Sequence, residues 1–566
     1  MKMKRNLMRT LAGLLCLLMA ISLTACGDEG MTIANPNADV QALSYDDAVK
    51  EVNAYYNEIN PTLVPAKLDT DVDFSTTAAL SDLTTFPVTT TGRADVVIEI
   101  AADTELSDTA EPDNWANVVA GTFNRKGYKL ANGKTVAVSI RQIVAGETVT
   151  YMTEGDYRPD AFIPSHAQWG EMLASRGFKT ITIVDRVVGN TAGILMKRAT
   201  YDEFIKNHGE VTVRNVLDAA LARELVFAVT NPYTSSTGLN MLAQMLHAFD
   251  SDNPLSDKAV QALIDYQQIA PTAAYSTAVM RESAKKGIID AMAMEAQAYI
   301  LNKELSDYVY TPVGFRHDHP VITFDYVSDE KQEALKIFTD YCLEPEQQKL
   351  AKDRGFNIYD DYAGQDDGLS GGDYFSAQAV WKKNKNGGRP VVAVFVADIS
   401  GSMNGKRLNS LKESLLQTMQ YIDSDNYVGL VSYDDKVYIN LPIDKFTNQQ
   451  RAYFSGAVKD LTTNGSTATY SATTVGLKML LDASETIPDA KMMLFVLTDG
   501  ETNTGYRLKS ISPLVAGLKV PVYTIAYETS STSELIRLSG LNEAACIDSD
   551  VAGIVNDLRN LFNVNM

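Results

Sequence analysis

The 566-residue chain predicts an α/β molecule in two parts, a two-lobed region of alternating strands and helices followed by a doubly wound sheet. Two observations carry this. Residues 391–397 are an unbroken apolar run and 492–498 a second run apolar up to Thr498, and both read as strands buried on both faces of a mostly parallel sheet. Upstream, strand-like and helix-like segments alternate over about 280 residues, and one core stops growing at roughly that size, so two lobes are expected.

Taken in order, residues 1–25 carry Lys2, Lys4, Arg5 and Arg9 ahead of an apolar stretch, the pattern of a secretory signal too short to span a membrane. The signal ends Leu23-Thr24-Ala25-Cys26-Gly27, which resembles a bacterial lipobox. The resemblance implies a palmitate-type lipid anchor on Cys26, which would hold the protein on the extracytoplasmic face of the cell membrane. No later stretch approaches the ~20 apolar residues of a spanning helix. Subtracting the signal's four basic residues takes the net charge from −21 to −25, a balance that repels nucleic acid. Of four cysteines only Cys342 and Cys546 remain after Cys16 and Cys26, so no disulfide framework is expected. Residues 26–91 read as a tether, with an amphipathic helix over 45–59 and a polar tether segment over 85–93.

Residues 92–372 form the two-lobed region. Strands are expected over 96–101, 135–144 and 160–164, helices over 114–123 and 168–175, and one closing helix over 332–350. The run Val96-Val97-Ile98-Glu99-Ile100-Ala101-Ala102-Asp103 resembles the first strand and ligand loop of a type II periplasmic solute-binding protein. Pro159 to His166, with Trp169, is similar to that family's second ligand loop. Thr230-Asn231-Pro232-Tyr233-Thr234-Ser235-Ser236-Thr237-Gly238 resembles the start of a far-lobe helix in the sulfate- and molybdate-binding branch. Free N–H groups at such a helix start attract negative charge. The candidate ligand residues are Asp103, Ser165, Thr234, Ser235, Ser236 and Thr237, and the solute they suggest is small and anionic or polar. Two features count against an anion: no basic clamp is evident, and Asp103 and Glu295 carry the wrong charge. His317 and His319, in Arg316-His317-Asp318-His319, read as a polar loop rather than as metal ligands.

Residues 373–387 read as a connector, with Lys382-Lys383-Asn384-Lys385 as a solvated basic turn, and residues 388–566 as the final domain. Its first strand ends on Asp398, followed at alternate positions by Ser400 and Ser402. Leu408, Leu411, Leu415, Met419 and Ile422 then mark one face of a helix. A hairpin around Asp434-Asp435, a loop at Asn464-Gly465-Ser466-Thr467 and a second buried strand ending in Asp499-Gly500 follow. Further strands over 520–526 and 545–547, with helices over 508–518, 533–541 and 551–562, complete the pattern. Asp398-Ile-Ser400-Gly-Ser402, then Thr467, then Thr498-Asp499-Gly500 resemble a von Willebrand factor A (VWA) domain, Rossmann-like in fold, with an intact metal-ion-dependent adhesion site (MIDAS). The resemblance implies that Asp398, Ser400, Ser402, Thr467 and Asp499 hold Mg²⁺ or Mn²⁺ in a loop at the surface. A hard cation of this kind takes about six oxygens near 2.1 Å, and few anionic ligands leave it free to accept a partner's carboxylate. Glu501 and Asn503, beside Asp499, read as solvated.

These features point to a lipid-anchored cell-surface adhesion and binding protein rather than an enzyme, since no Ser-His-Asp or Cys-His arrangement is visible. The expected partners are an acidic protein at the metal and a small solute in the two-lobed region, with no nucleic acid. The alternative is the substrate-binding component of an ABC importer carrying an accessory VWA domain.

Overall fold

The computed structural model describes residues 37, 39–72, 80, 83–108, 114–270, 289–386, 389–500, 502–527, 532–542, 544 and 546–549. The signal, Cys26, Glu501 and the helix expected over 551–562 lie outside the described residues. The chain forms two compact units, residues 1–39 and 40–566, and all that follows concerns the second.

Among the described residues its architecture is α/β, with three sheets. Two build the two-lobed region. A six-stranded sheet orders Val88–Thr90, Val136–Gln142, Val96–Ala102, Ala161–Ile163, Val321–Phe324 and Thr180–Val184. A four-stranded sheet orders Tyr308–His317, Asn190–Lys197, Ala291–Glu295 and Phe227–Ala228. Val88–Thr90 lies in the stretch expected to be a polar tether and is instead an edge strand, paired with residues of Val136–Gln142. The closing helix expected over 332–350 is two helices, Asp329–Cys342 and Pro345–Asp353. Pro345 has no N–H to give and disfavours a helical Glu344, so it restarts the helix at its first turn.

The connector expected over 373–387 is also corrected. Gly371–Asn384 is a helix, opened by a reciprocal capping box between Ser370 and Asp373. It belongs to the two-lobed region: Tyr374, Ala377 and Trp381 are buried there, and Gln378 Nε2 donates to Pro232 O at 2.8 Å. Lys385, expected in solvent, is buried, and burial pulls its ammonium well below the ordinary range.

The third sheet has seven strands, with Val391–Asp398 at its centre between parallel neighbours Tyr427–Tyr433 and Lys491–Thr498. Alternate residues explain the unbroken apolar run. Val391, Ala393, Phe395 and Ala397 enter the core on one face, while Val392, Val394 and Val396 enter the core on the other. Val437–Lys445 adds the antiparallel strand expected after Asp434-Asp435.

The largest correction concerns the tether. The helix Tyr45–Ile59 forms over the expected residues, capped by Ser44 and closed by Asn60 in the left-handed conformation. It does not span solvent. Ala48 and Val52 are buried in the same core as Val392, Leu480, Ile511 and Leu514 of the seven-stranded sheet and its helical layer. Thr62–Leu63 then pairs in parallel with Tyr438 and Ile439 as that sheet's edge strand. Lys67 to Asp69 runs along the helix Asn448–Asp460, with Asp69 held by Ser455 and Lys459. A Cβ on Gly456 would stand 1.9 Å from Lys67 O, so the close approach requires glycine there. The two-lobed region is therefore inserted within the chain of the C-terminal domain.

Candidate functional sites

At the C-terminal edge of the seven-stranded sheet, the parallel register of Val391–Asp398 with Lys491–Thr498 brings the two carboxylate-bearing loops together. Thr498 Oγ1 donates to Asp398 Oδ2 at 2.7 Å, and Ser400 N donates to Asp398 Oδ1 at 2.8 Å. Ser400 Oγ lies 3.0 Å from Ser402 Oγ, and Ser402 Oγ donates to Asp499 Oδ1 at 2.8 Å. One hydrogen-bonded chain thus links four of the five expected residues. Thr467 stands in the adjoining loop, which Gly401 N reaches through Gly465 O at 3.1 Å. Asn503, expected in solvent, accepts from Thr467 N at 2.9 Å and fixes that loop.

The site is less exposed than a surface loop. Asp398 is fully buried, and only Ser402 of the five is exposed. Burial pushes the Asp398 carboxyl up to about 6; the Thr498 and Ser400 hydrogen bonds pull the other way, and Asp499 adds to the rise. Arg407, for which the sequence carried no signal, places Nη1 2.7 Å from Asp499 Oδ2. The donor set fits a hard cation: two carboxylates and three hydroxyls, all oxygen, with one carboxylate buried beside too little positive charge.

The second site is a cavity of about 420 Å³ in the two-lobed region. All six residues singled out in the sequence line it, from Asp103 and Ser165 on the six-stranded side to the segment 234–237 at the start of the helix Ser236–Phe249. Asp103 Oδ2 accepts from Ser165 Oγ at 2.7 Å and from Ser236 Oγ at 3.2 Å. Glu295 Oε1 accepts from Thr237 Oγ1 at 2.6 Å. Glu105, Asp108 and Glu295, not among the expected ligand residues, also line the cavity.

His317 ends the strand Tyr308–His317 and His319 lies in the loop after it, but neither is a solvated loop residue. Both are fully buried behind these carboxylates. Asn240 Nδ2 donates to His317 Nε2 at 2.9 Å, which leaves the ring proton on Nδ1, 2.7 Å from Glu295 Oε1. His319 Nδ1 faces Val188 O at 3.1 Å, where it must donate, and Nε2 lies 2.6 Å from Glu105 Oε1. Burial opposes the His319 cation, but the Glu105 charge and hydrogen bond outweigh it and raise the imidazole; His319 in turn lowers Glu105 against burial. Asp103 is pushed up to about 6 by burial and by Glu105, and Glu295 is raised mainly by burial. The buried pairing was invisible in sequence because Glu105 and His319 lie 214 positions apart. Among the described residues, no group of three or more His, Cys, Asp or Glu side chains is gathered to hold a metal ion.

Comparison with known proteins agrees with this division. The model of the von Willebrand factor type A domain matches residues 393–561, and that of the bacterial extracellular solute-binding protein matches residues 116–357. Inter-alpha-trypsin inhibitor heavy chain H3 of Bos taurus is 30% identical over 154 residues, covering 25% of this chain and 17% of its own length. The chain thus spans about a sixth of that relative. Among solved structures, iron-bound HitA from Pseudomonas aeruginosa is 14% identical, with 52% of this chain and 99% of that one covered at a TM-score of 0.37. A von Willebrand factor type A protein from Catenulispora acidiphila is 21% identical, with 31% and 42% covered at a TM-score of 0.28. Residues 116–357 carry a bacterial extracellular solute-binding domain and residues 393–561 a von Willebrand factor type A domain, joined in one chain.

Proposed function

We propose that this is a lipid-anchored extracytoplasmic binding protein with two separate binding sites. In the VWA domain, Asp398, Ser400, Ser402, Thr467 and Asp499 would hold Mg²⁺ or Mn²⁺, and the ion would accept a carboxylate from an acidic protein partner. The observation that carries this is the chain from Asp398 through Ser400 and Ser402 to Asp499, which presents an all-oxygen donor set at the edge where doubly wound sheets bind ligands. In the solute-binding domain, the 420 Å³ cavity would hold a small molecule. Cys26 would carry the lipid.

The test is a pull-down from surface extract with the full chain, in Mg²⁺ and in chelator. A protein captured in Mg²⁺, released by chelator and not captured by Asp499→Ala supports the reading. Equal capture by wild type and variant sinks it. For the anchor, Cys26→Ser should abolish labelling by a radioactive fatty acid.

A further inference from the structure

The solute cavity carries an inference about what enters it, and it rests on the reading of that cavity as a solute site. Each hydroxyl has one proton to donate. Ser165 and Ser236 spend theirs on Asp103, and Thr237 spends its own on Glu295. What these side chains turn toward a ligand is therefore lone pairs. Other donors are engaged as well: Trp115 Nε1 donates to Gln347 O at 2.9 Å, and Gly238 N at the helix start donates to Ser235 Oγ at 3.2 Å. At Ser165, Ser236 and Thr237 the wall therefore meets a ligand with acceptors.

Charge points the same way. Asp103, Glu105, Asp108 and Glu295 line the cavity, and Arg354 is the only basic side chain among the described lining residues. Behind the wall, His319 Nε2 lies 2.6 Å from Glu105 Oε1 and His317 Nδ1 lies 2.7 Å from Glu295 Oε1. Four carboxylates thus stand against one arginine and two imidazoles, and among the described residues Asp103 is buried with only Ser165, Ser236 and Thr104 N hydrogen-bonded to it, an arrangement that a positive charge relieves. Among the described residues the carboxylates and imidazoles are not gathered in threes as metal ligands, and each imidazole faces a carboxylate. An organic cation does not require a ring of ligands; it needs only acceptors and negative charge. Trp115, Val144, Leu301 and Phe356 add apolar surface to the lining, suited to a carbon skeleton.

We propose that the cavity takes a small organic cation, a primary amine or guanidine with a short apolar body. Its N–H groups donate to Ser165, Ser236 and Thr237, and its charge is balanced by Asp103 and Glu295. This replaces the anion suggested by the helix start at Ser236, whose attraction is outweighed by two buried carboxylates.

The test is calorimetry on the full chain with agmatine and putrescine as cationic probes and sulfate and glutarate as anionic ones. Agmatine or putrescine should bind, and Glu295→Gln and Asp103→Asn should each weaken binding at least about tenfold. Thermal melting of both variants checks that they fold. Binding of sulfate or glutarate that Ser236→Trp abolishes overturns the cationic class and leaves the cavity a solute site. Failure of both cations to bind also overturns the class. Native mass spectrometry of the same protein, equilibrated with growth medium, then judges the cavity separately: a bound mass removed by Ser236→Trp keeps it as a solute site, and no bound mass sinks that reading too.

Discussion

Asp103 shows at one residue how much work burial does. Its carboxyl sits at about 6 instead of 3.8, raised first by burial and then by Glu105, with Ser165, Thr104 and His319 opposing. The folded state therefore holds this proton more tightly than the unfolded chain does. As pH rises from about 4 through 6, that extra stability is lost. Asp103→Asn has no such proton to lose, so it should gain roughly 1–3 kcal/mol relative to wild type between pH 4 and pH 7, read from urea unfolding at both pH values. A constant difference across that window would contradict the assignment. Arg407 makes a second case. Its guanidinium sits on the Asp499 carboxylate that a divalent ion would share, so Arg407→Gln should raise Mn²⁺ affinity about threefold to tenfold by calorimetry. Lower affinity in the variant would make Arg407 a support of the site and not a competitor. Asp398 is costlier to replace than a residue of a surface loop. Alanine there strands Ser400 N in a buried setting, at about 1–3 kcal/mol, and leaves Thr498 Oγ1 with Gly500 as its partner.

At the scale of elements, the segment from Tyr45 to Asp69 teaches most. The spacing of its apolar residues specified a helix, and the helix formed over the residues expected. Nothing in that spacing names the surface the apolar stripe will cover. Val52 is fully buried against the helical layer of the VWA sheet, so Val52→Ala should cost about 1–3 kcal/mol in urea unfolding monitored within that domain. A tether residue would show no change. Gly456→Ala is the matching test from the other side. Its Cβ would collide with Lys67 O, and overpacking of this kind costs about 1–3 kcal/mol.

For the whole molecule, the insertion changes what an isolated VWA domain must contain. Residues 386–566 alone expose the surface that Ala48 and Val52 cover and lose the edge strand Thr62–Leu63. That fragment should be aggregation-prone or partly unfolded by circular dichroism and sizing. Residues 40–72 joined by a flexible linker to 389–566 should fold, as should residues 83–386 separately, since the helix Gly371–Asn384 packs within the solute-binding domain. A well-folded 386–566 fragment with wild-type melting behaviour would refute the composite domain.

The sequence by itself determined the elements whose causes are local. The run at 391–397 could only be a doubly buried strand, and Asp398, Ser400, Ser402 and Asp499 follow their strands closely enough for strand pairing alone to assemble them. The six cavity residues were legible for the same reason, because each follows a strand end or opens a helix. Tertiary structure decided the rest: the docking of Tyr45–Ile59 on a domain more than 300 positions away, the pairing of Glu105 with His319 and of Glu295 with His317, and the approach of Arg407 to Asp499. Periodicity and turn chemistry act over a few residues, whereas burial, charge compensation and side-chain packing depend on which distant surfaces the folded chain brings into contact.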